Sequence, residues 1–197
     1  MDSDRLRQTI VGAVSMPAAQ KILFHCGSRT VNGHIFNLVV DRLRRKKIHV
    51  DVDPDELDDA NDAAMYRPTT HTFIFRSPFF GATDSEQATI VHESVHAGFD
   101  VIGDGGHFRR IDNEPSAYLA ESFFLLNSGF SFDQVRHTVS LRLAFTIALN
   151  MRSKKQFSVS TDDLLLLRNG VARMQIINHG KDTRRGTDGN KFRGIAR

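Results

Sequence analysis

Two histidines four residues apart, His92 and His96, with Glu93 between them, make up a set of side chains that can hold a metal ion and move a proton. On a helix, residues i and i+4 project from one face a turn apart, so both imidazoles can reach one ion without bending the backbone. Glu93 then lies about 100° round the helix from His92 and about 60° from His96, beside the ion and not aimed at it. A carboxylate there can take a proton from a water on the ion, as a general base in metal-assisted hydrolysis. Cys26 is the only cysteine, which excludes an intrachain disulfide and a cysteine-based zinc knuckle. Any ion must be held by imidazole and carboxylate.

A catalytic zinc site usually has three protein ligands and one open position, so a third ligand is needed from another element. The chain has five glutamates: Glu56, Glu86, Glu93, Glu114 and Glu121. Glu114 follows a loop long enough to reverse the chain and opens the next helix, so two antiparallel helices can bring it to the ion. Tyr118 and Glu121 share its stripe. Glu121, two turns deeper, is the first rival as ligand, His107 in a glycine-rich loop the second, and Asp100 and Asp104 stand behind them. Asp100, one turn after His96, can also orient a ligand imidazole through its free ring nitrogen.

The flanking elements suit this reading. A chance His-Glu-x-x-His arises in about one of a hundred shuffles of this composition, so the surroundings have to carry weight too. Thr70 to Arg76 is the clearest strand, and Ser77-Pro78 breaks it. Thr83 or Asp84 then caps a helix running to about Asp100, with Glu86 or Gln87 as the reciprocal partner. Ala88, Val91, Val95 and Phe99 give that helix an apolar stripe next to the histidine face. Gly103, Gly105 and Gly106 mark a loop. A second helix starts near Asp112, with Pro115 in its first turn, and runs to Leu126. A third spans Ser131 to Met151, with Ser131 and Gln134 as a capping pair. A fourth begins at Thr161 and ends or kinks near Asn169-Gly170.

Earlier in the chain, Lys21 to Cys26 and Val31 to Val40 read as short strands. Ile48 to Asp53 alternates as a half-buried strand does, and Pro54 ends it. Asp55 to Asp62 is an acidic turn or short helix. Strands first and helices later suggest an α+β fold, a small mixed sheet with further helices packed to one side. A single domain over residues 1–177 is expected, with a basic, disordered tail over 178–197.

His92-Glu93-x-x-His96 followed by a helix bearing Glu114 resembles the gluzincin branch of the zincin metallopeptidases, and Asn113-Glu114 is similar to the pair that opens the third-ligand motif of thermolysin-like enzymes. The resemblance covers about residues 70 to 126 and looks like a small, divergent, bacterial-type member. It implies His92, His96 and Glu114 as ligands of Zn2+, Glu93 as the catalytic base, and a peptide or protein as substrate. It further implies that Thr70 to Arg76 is the edge strand of the sheet, which in that family pairs with an extended peptide. Tyr118 stands where thermolysin-like enzymes carry an Asp, and Phe99 and Ile102 stand where the longer metzincin motif has its Gly and third His.

Tyr118 can donate to a developing oxyanion, although a tyrosine on a half-buried helix more often belongs to the core. His71, His107 and His137 can each polarise a carbonyl or simply face solvent. Phe79-Phe80 reads as a plug under the helix, and Cys26 as an inert buried thiol.

In 197 residues, 40% are hydrophobic and 25% charged, the balance of an ordinary globular domain. The opening Met-Asp-Ser-Asp-Arg lacks the pattern of a secretory leader, and no apolar run is long enough for a membrane helix. A cytoplasmic setting is the expectation, with leaderless secretion as the other route. The net charge of +3 gathers in Arg42 to Lys47 and after Asn178. Such runs are more often solvated faces than nucleic-acid platforms. The leading expectation is a zinc-dependent metallopeptidase. The rival is a non-catalytic regulatory module whose zinc is structural and whose basic surface binds an acidic partner.

Overall fold

The computed structural model describes residues 2–57, 63–103, 110–135 and 138–182, with side chains throughout except at positions 2, 110–112 and 173–182. Helices α1 (Asp2–Ser15) and α2 (Pro17–Gln20) lead into a hairpin of β1 (Leu23–Cys26) and β2 (Arg29–Asn32). Helix α3 (Gly33–Arg44) is followed by β3 (His49–Val52), β4 (Ala64–Arg67) and β5 (Thr72–Phe75). Four helices complete the fold: α4 (Asp84–Val101), α5 (Arg110–Asn127), α6 (Val139–Ser153) and α7 (Thr161–Asp182). The class is α+β, with two small sheets and a helical majority among the described residues. None of the described helices is long and apolar enough to cross a membrane.

The segment Val31 to Val40, expected as a strand, is β2 followed by helix α3. Its buried residues Ile35, Phe36, Val39, Val40 and Leu43 fall at helical spacing. The Asn32 side chain accepts from the N–H groups of His34 and Ile35, so the helix starts at that cap.

The second sheet has the order β3-β5-β4, with β3 parallel and β4 antiparallel to β5. This corrects the expectation that Thr70 to Arg76 forms the edge. β5 is the central strand, buried over Phe73, Ile74 and Phe75, and that continuous apolar run is what two covered faces require. β4 is the edge on the side of α4. Arg76 donates its N–H to the Ala63 carbonyl. By the alternation of an antiparallel ladder, Ala64 and Tyr66 therefore turn their backbone groups outward, away from β5.

Helix α4 runs through the middle of the molecule. Thr83 and Glu86 form the expected capping box, with Glu86 N–H donating to Thr83 Oγ1 at 3.2 Å and Thr83 N–H donating to Glu86 Oε2 at 2.9 Å. Its buried positions include Ala88, Val91, Val95 and Phe99, and Ile90, Ala97 and Gly98 on another side, so it is walled on more than one face. Gly98 permits the close crossing with α3: a Cβ there would lie 2.0 Å from Ile35 Cγ2. Seven phenylalanines (Phe24, Phe36, Phe73, Phe75, Phe99, Phe124 and Phe145) are fully buried in the core.

Several helix boundaries differ from the sequence expectation. α5 begins at Arg110, which moves Pro115 from the first turn to the second. Ser131 and Gln134 do form a capping box, but on a 3-10 turn (Phe132–Gln134), and α6 starts afresh at Val139 with Thr138 as its cap. α7 continues past Gly170 to Asp182, so the first residues of the expected disordered tail are helical. The remainder of that tail, and most of the acidic Asp55 to Asp62 segment, lie outside the described residues.

Candidate metal centre

His92 and His96 project from α4 toward the start of α5, where Glu114 meets them. Glu114 Oε2 lies 3.3 Å from His92 Nε2, and Glu114 Oε1 lies 3.7 Å from His96 Nε2. Ligand atoms of the three residues all fall within 4.8 Å of one another. Bonds of about 2.0–2.1 Å in a tetrahedral arrangement place two ligand atoms roughly 3.4 Å apart. The spacing and the imidazole–carboxylate donor set fit a divalent cation, so His92, His96 and Glu114 form a cluster that could hold a metal ion. His92 and Glu114 are buried and His96 is half-buried, which leaves the cluster accessible from one side.

Glu121, the rival ligand, takes a different place. Two turns along α5 from Glu114, its Oε2 lies 3.1 Å from Nδ1 of His92, the ring nitrogen facing away from the cluster. With a metal ion on Nε2, a hydrogen bond there would keep the remaining imidazole proton on Nδ1 and leave Nε2 as the electron-pair donor. Tyr118 lies between the two carboxylates on the same stripe, its ring edge-on to His92 with centroids 4.7 Å apart. It is half-buried and packs against the His92 imidazole.

Burial pushes His92 toward its neutral form. Hydrogen bonds to Glu114 and Glu121, with the charge of Glu93, outweigh burial and hold its pKa well above the ordinary 6.5. Without a cation, a protonated His92 places positive charge among these carboxylates.

Glu93 stands beside the cluster, as the helical geometry requires. Its Oε1 is 4.0 Å from His92 Nε2, while its Oε2 accepts a hydrogen bond of 2.7 Å from the backbone N–H of Tyr66 on the edge strand. Tyr66 also carries a phenol that donates to Asp100 Oδ2 at 2.6 Å, and His71 Nδ1 meets the same oxygen at 2.6 Å. Asp100 therefore bonds Tyr66 and His71, and the carboxylate that meets the far nitrogen of a cluster imidazole is Glu121. Asp100 ties α4 to β4 and to the turn after it, and His71 is an exposed residue held by that tie.

A cleft of about 300 Å³ opens beside His92 and Glu93. His92, Glu93, Tyr118 and Glu121 form one wall, and Ala63, Ala64, Phe80, Thr89 and Leu141 supply much of the rest. The expected plug is split: Phe80 is buried and lines this cleft, whereas Phe79 is 67% exposed, with the Arg5 guanidinium over its ring. Cys26 is buried, and burial pushes its thiol pKa up. His107, Asp104 and His137 lie outside the described residues.

Sequence reasoning missed Tyr66 and the cleft residues Ala63, Thr138 and Leu141. No local signal marks them, because their place depends on which strand forms the edge and on where α6 begins. Compared with models of protein families, with curated proteins and with solved structures, the chain matches none.

Proposed function

We propose that the chain is a zinc-dependent peptidase of zincin type. The observation that supports this most directly is the convergence of His92 Nε2, His96 Nε2 and the Glu114 carboxylate on one point, with Glu93 Oε1 beside them and a cleft lined by His92 and Glu93. Three nitrogen and oxygen ligands with one accessible side are the donor set of a catalytic zinc. Zinc held there would supply Lewis acidity, polarising the attacking water and the peptide carbonyl.

The protein's own groups do the remaining work. Glu121 fixes the tautomer and the ring plane of His92. Glu93 has one oxygen held by the edge strand, and it offers the other as acceptor for a proton from the attacking water. It then returns that proton to the departing amine, so the carboxylate ends the cycle as it began. The outward backbone groups of Ala64 supply a donor and an acceptor along the cleft for an extended chain.

The test is metal content followed by substitution. Protein purified without a metal-affinity step should contain about one zinc per chain, lost in His92→Ala and Glu114→Ala. Glu93→Gln should keep the zinc and the fold and cut hydrolysis of a peptide library by about 10²-fold or more, the scale of a removed general base. A Glu93→Gln variant as active as wild type would end this reading. The exposed run Arg42, Arg44, Arg45, Lys46 and Lys47 at the end of α3 supports a second reading, an anion-binding module with a structural zinc. Salt-sensitive binding to an acidic partner by a zinc-loaded chain that hydrolyses nothing would favour it.

A further inference from the structure

Tyr66 touches α4 at two points seven residues apart. Its N–H donates to Glu93 and its phenol donates to Asp100. Seven residues are close to two full turns, so the two carboxylates share one face of the helix about 10 Å apart. One residue thus pins the edge strand to the helix at both ends of that span. The pin is braced from behind. His71 Nδ1 bonds the same Asp100 oxygen, and the His71 carbonyl accepts the N–H of His49 on β3 at 2.8 Å. The edge strand, the far strand of its sheet and the helix are therefore linked through Asp100.

We propose that Tyr66 is a positioning residue for Glu93, with its phenol–Asp100 bond setting where the edge strand lies and so which oxygen of Glu93 faces the metal cluster. This rests on the reading of Glu93 as the proton acceptor. The ladder to β5 alone fixes β4 only within its sheet. Its height along α4 is fixed by the phenol. With that anchor, the Tyr66 N–H reaches Glu93 Oε2 at 2.7 Å and Oε1 is left toward His92. A carboxylate held at one oxygen loses rotational freedom at the other, which is the condition for an oriented proton acceptor.

Tyr66→Phe isolates the effect, because the ring packs edge-on to Phe73 with centroids 5.1 Å apart and that contact survives loss of the hydroxyl. The experiment is residue-resolved amide exchange on the zinc-loaded full chain, joined to steady-state kinetics on a peptide cleaved by wild type. Tyr66→Phe should retain its zinc and accelerate exchange at the residue 66 amide by about tenfold or more, the scale of a lost bond to a charged group. Amides of β5 should be unmoved. kcat should fall by about tenfold with KM unchanged, Asp100→Ala should do the same, and Asp100→Asn, which still accepts from the phenol, should recover part of the loss. Unchanged exchange at residue 66, uniform acceleration across β4 and β5, or an unchanged kcat would overturn the proposal. If wild type cleaves no peptide while Tyr66→Phe still frees the residue 66 amide alone, the peptidase reading fails and the positioning of the carboxylate stands.

Discussion

The carboxylate of Glu121 sits 3.1 Å from Nδ1 of His92, on the side of the ring opposite Glu114. Two glutamates of one helix thereby address the two nitrogens of one imidazole. Glu121→Gln should weaken zinc binding by about 10- to 100-fold, the cost of losing an outer partner of a metal-ligating histidine. Competition with a chelating dye reads this directly. An affinity equal to wild type would mean that Glu121 contributes packing and nothing more.

The raised pKa of His92 would give binding of the proposed zinc a pH dependence of definite sign. In the metal-free protein the imidazolium is stabilised by Glu114 and Glu121, so zinc must displace a proton, and affinity should climb as pH rises. Calorimetry in two buffers of different ionisation enthalpy should report proton release near neutral pH. No release, or an affinity that falls with pH, contradicts the assignment.

The same shift bears on the stability of the metal-free chain. The folded pKa of His92 lies above its unfolded value, so its contribution is fully present below about 6.5 and is lost as pH rises through the folded value. The difference in melting temperature between metal-free wild type and His92→Gln should accordingly shrink from pH 6.5 upward. A difference that widens over that window would show that the imidazolium is not the stabilising form.

Gly98→Ala should destabilise the fold although alanine is the better helix former. The added Cβ would meet Ile35 Cγ2 at 2.0 Å. Overpacking of this kind costs about 1–3 kcal/mol, against a gain of about 1 kcal/mol from propensity. Denaturant unfolding of Gly98→Ala, Ile35→Ala and the pair should give a double mutant less damaged than the sum of the singles. Strict additivity would place the strain elsewhere.

The parts of this molecule written in the sequence are the local ones. The capping box at Thr83 and Glu86, the apolar positions of α4 and the His-Glu-x-x-His spacing all lie within one helix and can be read from period and chemistry. Glu114 was reachable because a loop and one helix turn separate it from the motif. The division of labour between Glu114 and Glu121 was not, because it depends on the depth at which α5 crosses α4. Helix α3 looked like a strand because a short apolar stretch fits either period until Asn32 is recognised as a cap. The edge strand was misplaced for a similar reason. β5 is the most strand-like segment, and residues buried on both faces belong in the middle of a sheet.

Glu93 does something for the whole chain besides its proposed chemistry. An edge strand with open N–H and C=O groups invites another molecule's strand to join it, and short edges with occupied donors resist that association. β4 has four residues, and its Tyr66 donor is already taken by Glu93. The residue that would handle the proton therefore also occupies one outward donor of this edge. An inactive sample made as Glu93→Ala would leave that donor without its acceptor and should self-associate more readily than Glu93→Gln, whose amide carbonyl can still accept from Tyr66. For trapping a bound peptide, the glutamine variant is the better reagent.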